Sequence, residues 1–463
     1  MSKPGSSKTA RISEPAAKRK RIVQDVTIPQ DKSGTVGVQT TVFSGVTTST
    51  RTGSPVDKDI PKEIPSKKGN QSAQNTASIK KKRLPTSFKI IAGSYEKLLY
   101  GIDGTFVDAD GQPSSKPLLK PIFIFPAHVS CVKAVAASPD GGKWLATGST
   151  DEIVKVWDLR RRKEIGGLIQ HEGSITHLSF PSRSHLLSAS EDGTICIFRA
   201  RDWVLLRSLK GHKGRVNSVA VHPSGKVGLS VGKDRTLRMW DLMRGKGSAS
   251  TKLGKEGEIV RWSSTGHRFI VQTQSTIDVY STEMSLLQTL THPSRIHDAK
   301  FCRRVDGGEE LLLVAAEDKK VTIYSVDSDS DTSLPVVGEL VGHTNRVKSV
   351  DTLDISSPCL TGQAEKSTTI VSTASSDGKI HVYDLSELSD GSASTEKVEL
   401  HPVAEYDTKG TRLTCCTLAD GEAVDSPTAE KRKRDSDDEN DDGEDDVGDN
   451  ESEEGGSDGG VDE

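Results

Sequence analysis

The sequence predicts an all-β chain whose strands form four-stranded sheets closed into a seven-membered ring, with disordered extensions at both ends. Three observations carry this. Short motifs recur at a period near 40 residues; each repeat reads as brief alternating apolar runs separated by turn residues; and fragments at the two ends of the repetitive region complement each other as parts of one further repeat.

The clearest copy runs from Gly211-His212 through Val216-Asn217-Ser218-Val219-Ala220-Val221 and Gly232-Lys233-Asp234 to Leu237-Arg238-Met239-Trp240-Asp241. Another begins at His128, passes Asp151 and ends in Trp157-Asp158; a third links His171, Asp192-Gly193 and Phe198. His128 to His171 is 43 residues and His171 to His212 is 41, so the register is regular. This ordering of Gly-His, Asp and Trp-Asp is the signature of the WD40 β-propeller. Later copies are looser. One keeps Trp262 and Ile277-Asp278-Val279-Tyr280, the next His292, Asp318 and Tyr324, the next Gly342-His343, Asp377-Gly378 and Tyr383-Asp384.

These make six blades between residues 127 and 404, and the seventh is predicted to be split. Phe88 to Tyr95, Leu98-Leu99-Tyr100 and Pro121 to Phe125 read as three strands lacking an opening partner, and residues 410–418 resemble the opening strand of the other repeats. The propeller is therefore expected over residues 88–418. It would be closed by the C-terminal strand, which removes exposed sheet edges. Insertions at residues 303–309 and 354–366 lengthen the repeats.

Alternation in runs such as Ile195-Cys196-Ile197-Phe198 sends every second side chain to one face, and blades stack those faces. The aromatics Trp157, Phe198, Trp240, Tyr280, Tyr324 and Tyr383 that end these runs are expected in the core. His128, Asp151 and Trp157, His212, Asp234 and Trp240, and His343 with Asp377 are expected to form structural hydrogen-bond sets. A His-Asp-Ser set also has the composition of a catalytic triad, but its recurrence from blade to blade points to structure. The blade around residues 254–280 lacks the set and is expected to be the most mobile.

Composition bounds the rest. Only 33% of the 463 residues are hydrophobic, too few for a uniformly packed chain, so part is expected to be unpacked. Residues 1–87 carry 17 Lys and Arg against 6 Asp and Glu, and residues 431–463 carry 4 against 16. The first segment reads as a disordered basic arm and residues 419–463 as a disordered tail, acidic from 435, because neither can bury enough apolar surface to offset the entropy of ordering. Three basic tetrads, Lys18-Arg19-Lys20-Arg21, Lys80-Lys81-Lys82-Arg83 and Lys431-Arg432-Lys433-Arg434, are nuclear-import candidates. No long apolar run or secretory leader is evident, so a soluble intracellular chain without membrane contact is expected. Six cysteines without CxxC spacing argue against disulfides and metal sites.

No nucleophile elbow, zinc motif or phosphate loop occurs, so the expected function is non-catalytic, with no cofactor and no small-molecule substrate. A propeller then acts through its loops. The residues that open the first strands are Ser130, Ser174, Arg215, Glu258, Arg295, Arg346 and Arg412. Four arginines at one equivalent position suggest an arc of guanidinium groups on one rim, suited to carboxylate, phosphate or RNA backbone. Singly, each also reads as a solvated loop charge.

Beyond the general repeat, the segment from Phe88 to Leu98, the opening His128-Val129-Ser130-Cys131-Val132-Lys133 and the run His171 to Phe180 resemble the p21-activated-kinase-interacting WD-repeat family. That family includes the yeast maintenance-of-killer WD protein required for large ribosomal subunit assembly. The resemblance implies a factor of the nucleus and nucleolus that docks on pre-60S particles or delivers a ribosomal-like protein, with pre-60S proteins or assembly factors as partners and contact with pre-rRNA. The kinase-binding role of animal members implies a p21-activated kinase as an alternative partner, with a kinase-inhibiting scaffold as the alternative function. A rival reading is a cullin-ligase substrate receptor, since Trp157-Asp158-Leu159-Arg160 matches the WDxR box.

Overall fold

The computed structural model describes residues 84–107, 112–304, 309–326, 334–357, 366–388 and 397–421. Residues 1–83 of the expected basic arm, residues 422–463 of the expected tail and all three basic tetrads lie outside these residues, whereas Ser87, Ala419 and Asp420, expected in the disordered extensions, stand in strands. Within them the chain forms seven antiparallel four-stranded sheets, one of which gains a fifth strand.

Blades are numbered here by the order of their innermost strands. These are Val132–Ala137, Ile175–Ser182, Val216–Val221, Ile259–Trp262, Ile296–Arg303, Val347–Ser357 and Leu413–Asp420 in blades 1 to 7. Each innermost strand contacts the next, and the seventh contacts the first, so the ring is closed. In blade 7 the strand Leu413–Asp420 pairs antiparallel with Ser87–Ser94, which pairs with Leu98–Val107 and then Pro113–Pro126. The split repeat closes as its sequence implies. The closing strand runs to Asp420 and the first strand starts at Ser87, extending the paired region slightly past 88–418 at both ends. The outer strands of blade 7 are longer than the Pro121 to Phe125 run suggests, because Leu98–Val107 and Pro113–Pro126 continue as a longer hairpin whose Phe106 is buried with Phe88, Ile355 and Ile370. The expected insertion at 354–366 likewise begins and ends as ladder, with Asp354 opposite Thr369 and Ser357 opposite Lys366.

One departure is absent from the repeat pattern. Between the third and fourth strands of blade 6, Val398–Leu400 pairs in parallel with Val336–Leu340, the outer strand of blade 5. The chain then returns to supply Ala404–Asp407 to its own blade. An otherwise open edge is thus covered by a strand lent from the neighbour.

The core is the stack of blade faces. Phe88, Phe198, Phe269 and Tyr383 are fully buried, each worth roughly 1.5–3 kcal/mol of transfer free energy. Trp157, Trp240 and Tyr324 are buried as expected, whereas Tyr280 is half-buried. Tyr280 stacks on Phe269 at 5.2 Å, and Phe269 meets Trp262 at 5.1 Å. Blade 4, which lacks the histidine set, is therefore held by an aromatic ladder instead. Among the described residues no helix is long and apolar enough to cross a membrane.

Candidate docking surfaces of the propeller

The histidine sets decide what the recurring polar residues of the repeats do. In blade 1, Trp157 Nε1 donates to Thr147 Oγ1 (2.9 Å), and the Thr147 hydroxyl meets His128 Nε2 (2.8 Å). His128 Nδ1 meets Asp151 Oδ2 (2.9 Å). Blade 3 repeats the chain from Trp240 through Ser230 (2.7 Å) and His212 (2.7 Å) to Asp234 (3.0 Å). Trp can only donate, so the hydroxyl accepts from it; with the ring neutral and protonated at Nδ1, the hydroxyl gives its own proton to Nε2 and Nδ1–H donates to the carboxylate. That order requires a neutral histidine. Burial, the largest influence, pushes His128 and His212 below the ordinary 6.5 despite the adjacent aspartates. In blade 6, His343 bonds Asp377 (3.1 Å) and Thr373 (2.8 Å), and its ring stacks on His381 at 3.9 Å. In blade 5 the set fails to close: His292 Nε2 is 3.7 Å from Asp318 Oδ2 and instead faces Thr322 Oγ1 at 3.3 Å. These histidines are buried and their hydrogen-bonding capacity is used within the fold.

Six of the seven strand-opening residues directly precede an innermost strand and share one rim; in blade 1 that position is Cys131, whose carbonyl accepts the Thr150 N–H as the Ser174 and Arg215 carbonyls accept those of Glu191 and Lys233, and Ser130 stands one residue earlier. The guanidinium groups are not equivalent. Arg215 donates through Nε to Asn217 (2.7 Å) and through Nη2 to Glu256 (2.9 Å), and Arg295 donates to Glu258 (2.9 Å). Arg346 has only a distant carboxylate, Glu317 at 3.9 Å. Arg412 lies over the exposed Tyr95 ring at 5.5 Å, and among the described residues it forms no ion pair. The rim is thus unevenly charged. On blades 5, 6 and 7, Arg295, Arg346 and Arg412 converge on Lys348, whose amine is pushed down to about 8 by burial first and then by these cations, with Glu317 opposing. Lys348 Nζ donates to His297 Nε2 (3.3 Å), and His297 is pushed down to about 4, chiefly by burial and Lys348.

Below this rim a cavity of about 740 Å³ follows the ring axis. Its wall carries a belt of charges that the repeat pattern does not announce. Arg261 of blade 4 donates to Ser218 (2.9 Å) and to Asp298 of blade 5 (3.2 Å), and Asp298 accepts from Ser349 Oγ (3.0 Å) and Val350 N–H (3.1 Å) of blade 6. One layer lower, Asp351 accepts from Lys300 Nζ (2.7 Å), Thr417 Oγ1 (3.0 Å) and Leu418 N–H (2.8 Å). The belt staples the innermost strands of blades 3 to 7. The sequence signal was present as charged residues inside strands: Arg261 and Asp298 stand where other copies have Ala134, Ser218 and Cys415, and Lys300 and Asp351 where others have Ala136, Ala220 and Thr417.

These features define a WD-repeat propeller with a buried polar scaffold and charged faces. The WD domain, G-beta repeat family matches residues 119–158, 162–199 and 203–241, the three most regular copies. The p21-activated protein kinase-interacting protein 1-like of Gallus gallus is 35% identical over 333 residues, 71% of this chain and 80% of its own. Protein MAK11 of Saccharomyces cerevisiae is 32% identical, covering 76% of this chain and 87% of its own. Shk1 kinase-binding protein 15 of Schizosaccharomyces pombe is 27% identical, covering 75% and 91%. The chain belongs to the p21-activated kinase-interacting protein 1-like and MAK11 family of WD-repeat proteins.

Proposed function

We propose that this protein is a non-catalytic scaffold of large ribosomal subunit assembly, acting in the nucleus and nucleolus on pre-60S particles or delivering a ribosomal-like protein to them. The observation that carries this reading is the match to MAK11 along 76% of the chain and 87% of that relative, combined with the resemblance drawn from the Phe88, His128 and His171 segments. The supporting physics is modest and consistent. A closed ring offers rigid faces for docking, basic tetrads in both flanks suit nuclear import, and oppositely charged arms over residues 1–87 and 431–463 suit a partner containing RNA and basic proteins. In this reading residues 88–418 are the docking body and the flanks are tethers.

The names of the vertebrate and fission-yeast relatives favour a second reading, binding of a p21-activated kinase. The ubiquitin-ligase reading rests on the Trp157-Asp158-Leu159-Arg160 match, in which Arg160 is exposed and donates to the Gly141 carbonyl at 3.2 Å. Purification of the tagged full-length protein separates the three. Recovery of pre-rRNA with large-subunit proteins supports assembly, whereas recovery of a kinase or a cullin adaptor without them sinks it.

A further inference from the structure

The face opposite the arginine rim holds a feature that the function above does not use. The loops at residues 138–143 and 159–162 of blade 1 and at 183–184 and 200–204 of blade 2 all lie at the far ends of antiparallel strands, hence on that one face. Between the two blades Trp144 and Trp203, both half-buried, meet edge to face at 5.5 Å. Around them stand the exposed run from Arg160 to Lys163, with Lys143, Arg183 and Arg201. Of the nearby carboxylates, Asp202 is paired by Arg199, Glu164 by Lys155 at 3.1 Å, and Asp158 accepts the backbone N–H groups of Arg160 and Arg161, while Asp140 is exposed in the same loop as Lys143. Among the described residues Arg161, Arg162, Lys163 and Arg201 form no ion pair.

Trp203 stands at the turn between the third and fourth strands of blade 2 with φ +57°, the left-handed conformation that Arg162, Gly245 and Met284 adopt at the same turn of blades 1, 3 and 4 (φ +53°, +69° and +66°). Here the Trp203 N–H donates to the Arg199 carbonyl at 2.8 Å, pinning the turn that presents the indole beside Trp144. A paired aromatic platform inside a band of unneutralised cations is the combination that holds a flexible polyanion carrying flat rings. We propose that this face of blades 1 and 2 binds single-stranded RNA, its phosphates tracking the Arg160 to Lys163 run and a base stacking at Trp144 and Trp203. A duplex fits less well, because its bases are already stacked. Lys143, whose Nζ sits 4.2 Å above the Trp144 ring, is an exposed side chain that a base can displace and a phosphate can hold. The inference concerns the surface alone and holds whether or not the assembly reading does.

The test uses the purified full-length protein and a fluorescent oligouridylate of about 12 nucleotides. In R161E/R162E/K163E the affinity should fall at least about tenfold, and the slope of log K against log salt should drop by about 2, the share of three phosphate contacts. Trp144→Phe should weaken binding severalfold with the salt slope unchanged, and ultraviolet cross-links should map to the peptides bearing Trp144 and Trp203. The comparison with the parent protein cancels the contribution of the basic arm. Unchanged affinity and slope in the triple variant, with cross-links confined to residues 1–87, overturns the proposal. So does polyglutamate binding the parent more tightly than the RNA and losing that binding in the triple variant, since the face would then serve acidic proteins.

Discussion

Lys300 and Asp351 are 51 residues apart in sequence and 2.7 Å apart in the channel, where the same carboxylate also takes the Thr417 hydroxyl and the Leu418 N–H of the closing strand. One side chain therefore ties blade 5, blade 6 and the strand that completes blade 7. Burial works to raise the Asp351 pKa, but the Lys300 ammonium and the backbone donors hold it below the ordinary carboxylate value. Asp351→Ala should lower stability by about 2–3 kcal/mol, somewhat less than the ~3–5 kcal/mol of a fully buried broken pair, because Lys300 still reaches solvent. Urea unfolding followed by tryptophan fluorescence reads this directly. A loss below about 0.5 kcal/mol, the scale of an exposed pair, would show that the belt is not structural.

Closure itself can be tested by shortening the chain. Removing residues 413–463 strips the partner from Ser87–Ser94, exposes Phe88, Ile90 and Ala92 of the blade 7 core, and leaves an open edge. That variant should lose its cooperative thermal transition or aggregate. Ending the chain after Gly421 should leave the transition where it is in the parent. Equal midpoints for all three proteins would contradict a ring sealed by the last strand.

How much of this was readable from sequence follows from how local each signal is. The blades could be read because Gly-His, Asp and Trp-Asp recur within single repeats, so the chain from Trp240 through Ser230 and His212 to Asp234 is encoded in 29 consecutive positions. The belt could not, because Arg261, Asp298 and Asp351 acquire meaning only from neighbours in adjoining blades. The lent strand Val398–Leu400 is three residues long and too short for alternation to show. For the rim, the shared position of Arg215, Arg295, Arg346 and Arg412 was legible, but their division into paired and available groups depends on Glu256 and Glu258, which stand in other loops.

That division sharpens the test of the rim. Substituting Arg215, Arg295 and Arg346 together by alanine removes four surface ion pairs, two at 2.9 Å and two at 3.9 Å, worth about 0–1 kcal/mol each, so the thermal midpoint should move little. Partner capture from a lysate should weaken. R346A/R412A should weaken it as much as the triple variant, because these two guanidiniums are least neutralised by carboxylates. Capture at the parental level in both variants would remove the rim from the docking surface.

Acid should unfold the ring in two stages, and the order follows from signs. His177, beside Arg261 and Lys300, is pushed down to about 3 by burial and then by those cations; His297 is pushed down to about 4; His128 and His212 are also lowered. A histidine whose folded pKa lies below its unfolded value of 6.5 favours the folded state fully above that pH and loses its contribution as pH falls toward the folded value. Each adds up to about 1.4 kcal/mol per pH unit to the slope. Asp351 and Asp377 are lowered carboxylates, so their contributions persist until pH falls below about 4. Unfolding free energy measured in urea should therefore decline from about pH 6.5 downward and fall again below about pH 4. His297→Gln should flatten the first stage by up to about 1.4 kcal/mol per unit and leave the second unchanged, because only the histidine's proton uptake has been removed. A flat profile between pH 6.5 and 5 would mean that these rings are not held neutral by burial, and the proton order derived for the Trp-hydroxyl-His-Asp chains would fall with it.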